Sequence, residues 1–252
     1  MANETSSLLR GSLVLGLSLI VGLVGGAGVL GYNARVAASA RQSITVKGLA
    51  EKPVKADLGV LHMTLAGTGA TGAEALAQLR AQRPALDAFI RQEGFSDAQV
   101  QVGGENFAPV YRENENGQTT TVVDHYEANV TVSLTSKDVN QIAKTNLATL
   151  ALREKGLKLN VAAPEYLVSS LEDVKMSLIG AATENATTRA GEFARHGKVQ
   201  VGAMKNASQG AFYILPESGS QNSDGDYGGI YDKSTINKIA RVVVTIEYAI
   251  QP

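Results

Sequence analysis

The 252-residue chain has no cysteine and no tryptophan. The first absence removes disulfide frameworks, thiolate metal sites and cysteine nucleophiles together. It leaves the compartment open, because a chain without thiols suits oxidising and reducing surroundings alike. Aromatic residues make up only 5% of the chain, little for a sugar platform or an aromatic-lined small-molecule pocket. Neither sign of charge dominates. The formal net charge is −1, and a chain so balanced lacks the basic stripe of a nucleic-acid binder, so no nucleic-acid partner is expected.

Catalytic and metal signatures are equally scarce. The three histidines, His62, His125 and His196, stand at no metal-ligand spacing, and no HExxH, GxSxG, P-loop or dinucleotide fingerprint occurs in its required context. His62 shares strand phase with Leu58 and Val60, and His125 with Glu127. His196 precedes Gly197 at the end of a helical segment, where a cation complements the dipole. The richest polar stretch is the loop 216–235, with Asn222, Asp224 and Asp226 at alternate positions. An EF-hand needs glycine and glutamate where Tyr227 and Lys233 stand, so that reading fails. A long projecting loop remains, whose Tyr227 and Tyr231 are candidate contacts with a neighbouring subunit. No catalytic residue, cofactor or metal site is expected.

What the chain does have begins with a long apolar run. No charged residue occurs between Arg10 and Arg35, and Leu13 to Leu30 would span about 27 Å as a helix, close to a bilayer's hydrocarbon core. A tail (1–12), a transmembrane anchor in contact with lipid (13–34) and a linker (35–42) therefore precede a domain at 43–252. Ala38-Ser39-Ala40 is an alternative signal-cleavage site, after which the protein would be secreted. Gly22 and Gly26, with Ala27 and Gly31, have the small-xxx-small spacing of self-associating membrane helices.

Past residue 42 the pattern predicts strands at 43–51 and 56–66 joined around Lys52-Pro53. A helix then runs from Gly72 to about Glu93, capped by Thr71 with Glu74 and kinked at Pro84. Strands at 99–112 and 119–135 flank an Asn116-Gly117 hairpin turn. The second of them alternates Tyr126, Ala128, Val130, Val132 and Leu134 with polar residues, as in a sheet buried on one face. Ser136 is the expected cap of a helix at 137–154 with Val139, Ala143, Leu147 and Leu150 inward. A strand at 157–169, a helix at 171–196 lined by Ala182, Ala186 and Ala190, and strands at 199–215 and 236–250 complete the chain. The fold class is α+β: two β-α-β-β lobes, 43–135 and 157–252, joined by the helix 137–154. Mainly antiparallel sheet carries its helices on one side, with the transmembrane helix added at the N-terminus.

Four segments, ITVKGLAEKPVKADLGVLHMTL (44–65), YEANVTVSL (126–134), GAATENATTRAGEFARHGKVQVGAM (180–204) and ARVVVTIEYAI (240–250), together resemble the SIMPL-domain family, domain of unknown function 541. The apolar opening is similar to that of its membrane-anchored bacterial members. The resemblance implies an exported two-lobed domain without known catalytic residues, homo-oligomeric rings in some members, and roles in envelope or stress tolerance. The expected protein is thus a single-pass inner-membrane scaffold facing the periplasm that assembles with itself. The alternative is a periplasmic module that recognises a peptide or ligand by strand addition.

Overall fold

A computed structural model describes residues 22–33, 42–218 and 230–251. Four α-helices and nine strands lie among them: α1 (22–33), β1 (Ser43–Lys55), β2 (Leu58–Gly69), α2 (Gly72–Gln92), β3 (Val100–Val102), β4 (Asn106–Glu113), β5 (Thr119–Ser136), α3 (Val139–Glu154), β6 (Leu159–Val161), β7 (Glu165–Leu167), α4 (Leu171–Gly197), β8 (Gln200–Pro216) and β9 (Asn237–Gln251). One sheet has the order β1-β9-β8. The other has the order β3-β5-β2-β6, with β4 also beside β5 and β7 beside β2. The class is α+β with antiparallel sheets.

Two compact units interleave along the chain. Of the described residues, the first takes 22–33, 42–50, 179–210 and 242–251; the second takes 51–178, 211–218 and 230–241. This differs from consecutive lobes at 43–135 and 157–252. The reason is length: β1, α4, β8 and β9 each supply residues to both units.

In the second unit β2 and β5 run antiparallel from Gly59 opposite Ser136 to Gly69 opposite Tyr126. Their alternation buries Leu61, Met63 and Leu65 beside Val130, Val132 and Leu134 on one face. Helix α2 covers that face with Leu79, Leu86 and Ile90. It comes so near that a Cβ on Gly67 would meet the Ala75 carbonyl at 2.4 Å. The Thr71 hydroxyl accepts from Glu74 N at 3.2 Å, while the Glu74 carboxylate turns back to Ala70 N at 2.9 Å. Pro84 sits inside the helix, which continues through it to Gln92.

Several expected boundaries move. Strand β1 runs on through Pro53 to Lys55, because β1 stands at the edge of its sheet and an edge tolerates proline. The predicted strand 99–112 divides around Gly103-Gly104 into β3 and β4, and 157–169 divides at Pro164 into β6 and β7. The cap of α3 is Asp138, whose carboxylate accepts from Asn140 N at 3.0 Å and Gln141 N at 3.3 Å. Ser136 is instead the buried last residue of β5.

The largest departure lies in the face of α3. Its buried residues are Val139, Ile142, Thr145, Thr149 and Leu152. Leu147 and Leu150, expected inward, are 76% and 59% exposed. Spacings of three and four residues make the inward set one continuous helical face, and Leu147 and Leu150 fall outside it.

In the first unit β9 buries Val242, Val244, Ile246 and Tyr248 in alternation. Ala182, Ala186, Ala190 and Ala194 of α4, each four residues from the last, are buried too. Here α4 and β1 approach through small residues: a Cβ on Gly48 would fall 1.9 Å from the Ala182 carbonyl and 2.8 Å from the Ala186 Cβ. Only glycine fits there. The Thr187 and Tyr248 hydroxyls, 2.8 Å apart, fix the rotation of the helix over β9.

Candidate functional site

The histidines take structural places. On the face of β2 and β5 away from α2 and α3, His62 Nδ1 lies 2.7 Å from Ser133 Oγ, and Thr64 Oγ1 lies 3.1 Å from Thr131 Oγ1. These are cross-strand polar pairs, the unit from which a half-wet sheet face is built. His125 Nδ1 lies 3.0 Å from the Asp124 carboxylate on the exposed part of β5. That hydrogen bond, reinforced by Arg112, holds Asp124 below the usual carboxylate range. His196 lies at the end of α4, 3.9 Å from Glu192. Among the described residues no group of histidines and carboxylates could hold a metal ion.

The loop 216–235 is described at its two ends. Asn222, Asp224, Asp226 and Tyr227 lie outside the described residues. Tyr231 is tied into its own chain: its hydroxyl accepts from Val168 N at 2.9 Å. Next to it the Asp232 carboxylate accepts from Ser234 N at 2.9 Å and Ser234 Oγ at 2.7 Å, and also from the Thr235 hydroxyl. Lys238 Nζ, on a side chain with no exposure, donates to the same carboxylate at 3.0 Å and to the Asp232 carbonyl at 2.6 Å. Burial alone would raise the pKa of Asp232. The hydrogen bonds from Thr235, Ser234 and Lys238 outweigh it and hold the group well below the carboxylate range. A buried lysine matched in this way closes a turn, its donors and those of Ser234 and Thr235 converging on Asp232. Nearby, Asp57 accepts from Ser169 N at 2.7 Å and from its hydroxyl, the bond that most lowers the Asp57 pKa.

Gly22, Gly26, Ala27 and Gly31 all lie on α1, exposed, and Cβ atoms on the three glycines would meet nothing within 4 Å. At about 100° per residue the Gly22/Gly26 pair and the Ala27/Gly31 pair point about 140° apart, so they mark two faces of the helix. Helix α1 carries exposed Leu23, Val24, Val29 and Leu30. Its 12 described residues would span about 18 Å. Among the described residues no helix is long and apolar enough to cross a membrane; 13–21 and 34 of the expected anchor lie outside them.

Surfaces hidden from sequence reasoning are of three kinds. The first is the outer side of α3, with Leu147 and Leu150 in solvent while Thr145 and Thr149 face inward; the buried Thr145 hydroxyl has no hydrogen-bond partner. The second is β8 in the first unit, an end strand of its sheet whose residues 203–210 are exposed on both faces. The third is an open cavity of about 550 Å³ between β1 and α4, bounded by Lys47, Arg189 and Phe193 among others. Helical spacing gave a signal for the first, since Val139, Ile142 and Thr145 form a face as regular as the one chosen. The cavity joins residues 142 positions apart, which no local pattern reports.

A family model described as SIMPL, a protein of unknown function (DUF541), matches residues 44–240. No curated protein matches the chain. The matched stretch begins in β1, ends in β9 and takes in all the sheet and helix between them. With well over half of its length matched, this chain belongs to the SIMPL family.

Proposed function

We propose that this protein is a non-catalytic scaffold, anchored in the bacterial inner membrane with its domain in the periplasm, that self-assembles into a homo-oligomeric ring in the service of envelope or stress tolerance. The observation that carries the self-assembly is the pair of leucines that α3 leaves exposed, Leu147 and Leu150. Leaving two leucines in water and burying two threonines, one with an unpaired hydroxyl, forgoes roughly 1.5–3 kcal/mol of burial per leucine in the isolated chain. A second copy seated on Leu147 and Leu150 recovers it. The uncovered residues 203–210 of β8 offer a further edge for a copy of the same chain. Anchoring rests on the apolar run from Leu13 to Leu30, of which the described part is helical and exposed, with Gly22/Gly26 and Ala27/Gly31 as contacts between anchors.

Sedimentation of the detergent-extracted protein tests this reading. The expected result is a discrete oligomer that Leu147→Glu with Leu150→Glu reduces to smaller species. A monomer across the working concentration range overturns self-assembly. An intact mass that begins at Arg41 overturns the anchor.

A further inference from the structure

We propose that the outer edge of β1, together with the cavity between it and α4, is a docking site for an extended acidic peptide that adds to the sheet as a strand. This partner and this surface differ from the self-assembly surface on α3, and the two readings fail independently.

The edge comes first. Strand β1 ends the order β1-β9-β8, and Ile250 N donates to the Gln42 carbonyl at 3.2 Å. Backbone groups alternate along a strand, so the even-numbered residues that follow face β9 while Thr45, Lys47 and Leu49 face outward. The outward groups are met by side chains of α4. Arg189 Nη1 donates to the Lys47 carbonyl at 3.1 Å, and Leu49 N donates to Asn185 Oδ1 at 3.1 Å. One helix side chain thus supplies a donor and another an acceptor where the N–H and C=O of a neighbouring strand would stand. Both are side-chain contacts at exposed positions, which an incoming main chain can replace one for one.

The cavity lies along this same stretch. Its volume of about 550 Å³ is of the size that holds small ligands or a few side chains, and Phe193, 62% exposed, gives it an apolar wall. Strand addition uses these two components: main-chain bonds along an edge for affinity, and a pocket for alternate side chains for selectivity. Charge then sets the class of peptide. The only carboxylate lining the cavity, Glu192, is engaged by Arg195 at 2.6 Å, which leaves the Arg189 guanidinium as the cation at its rim, where Lys47 contributes its carbonyl. An added strand therefore carries carboxylates beside apolar side chains.

The test uses the full-length chain in mild detergent and two short fluorescent peptides, one alternating valine with aspartate and the other valine with lysine. Fluorescence anisotropy is expected to show the aspartate peptide bound at least about tenfold more tightly than the lysine peptide. Thr45→Pro removes an outward N–H at an edge position where proline is tolerated, and is expected to weaken binding about tenfold or more. Arg189→Glu, on the exposed helix surface, is expected to reverse the preference between the peptides even if Thr45→Pro perturbs the strand. Failure of the wild-type chain to bind either peptide overturns the proposal, as does equal binding of both. So does a Thr45→Pro variant that binds the aspartate peptide normally but changes sedimentation mass, which would assign the edge to a second copy.

Discussion

In the first unit α4 reaches its sheet by the removal of side chains: Gly48 on the strand faces Ala182 and Ala186 on the helix. In the second unit α2 meets its sheet closely at Gly67 but elsewhere packs through bulk, with Leu79 and Leu86 set among Leu61, Met63 and Leu65. Close approach by small residues gives backbone-level contact that tolerates no added atom. Interlocked large residues bury more apolar area and suffer when an atom is taken away. The two contacts should therefore fail in opposite directions.

The largest effect is expected from truncation in the bulky contact. Leu79→Ala should cost about 2–5 kcal/mol, read as a lower urea midpoint, with faster amide exchange confined to the second unit. A loss under about 1 kcal/mol would show that this core repacks freely. Next comes overfilling of the close contact. Gly48→Ala, whose new methyl meets a backbone carbonyl, should cost up to about 3 kcal/mol and speed exchange in residues 42–50 and 179–197. Equal exchange changes in both units would break the comparison.

Acid should separate the units further. The folded-state pKa of Asp232 lies below its unfolded value near 3.9, so its stabilisation is complete above about pH 5 and drains away as pH falls below about 4. The loss, on the order of 2 kcal/mol, is the scale of one charge-assisted hydrogen bond. Asp232→Asn should remove this acid-dependent step, visible as a flatter dependence of the unfolding midpoint on pH. The smallest effect is a gain. Thr145→Val replaces a buried, unpaired hydroxyl with a methyl and should stabilise by about 1 kcal/mol in thermal unfolding. A loss of that size would mean the hydroxyl has a partner in solution.

Much of this architecture is legible along the chain wherever one local rule decides. The alternation from Tyr126 to Leu134, the Thr71 cap and the alanines of α4 each follow from a period or a single hydrogen bond. The face of α3 is not, because a leucine-first reading assumes that the largest apolar residues point inward, and here packing selects Ile142 and Thr145 instead. Strand ends at Gly103 and Pro164 depend on which neighbour is paired, and the extension of β1 through Pro53 depends on its being an edge. Of the expected site residues, Tyr231 also has a place within its own chain, where its hydroxyl accepts from Val168 N. The cavity beside β1 becomes visible only when Lys47 and Arg189 are brought together.

The pinning of the long loop has a practical corollary. Ile214 N donates to the Ile230 carbonyl at 2.7 Å and Asp232 N donates to the Ile214 carbonyl at 2.8 Å, so the chain leaves and re-enters at one clamped point before β9 begins. Lengthening between 218 and 230 adds only a slowly growing closure entropy, about 0.6 kcal/mol per doubling. The clamp isolates the strand register from whatever is spliced in. This makes the segment a natural seat for a genetically inserted tag or fluorophore, one that reports on the protein without retuning its fold.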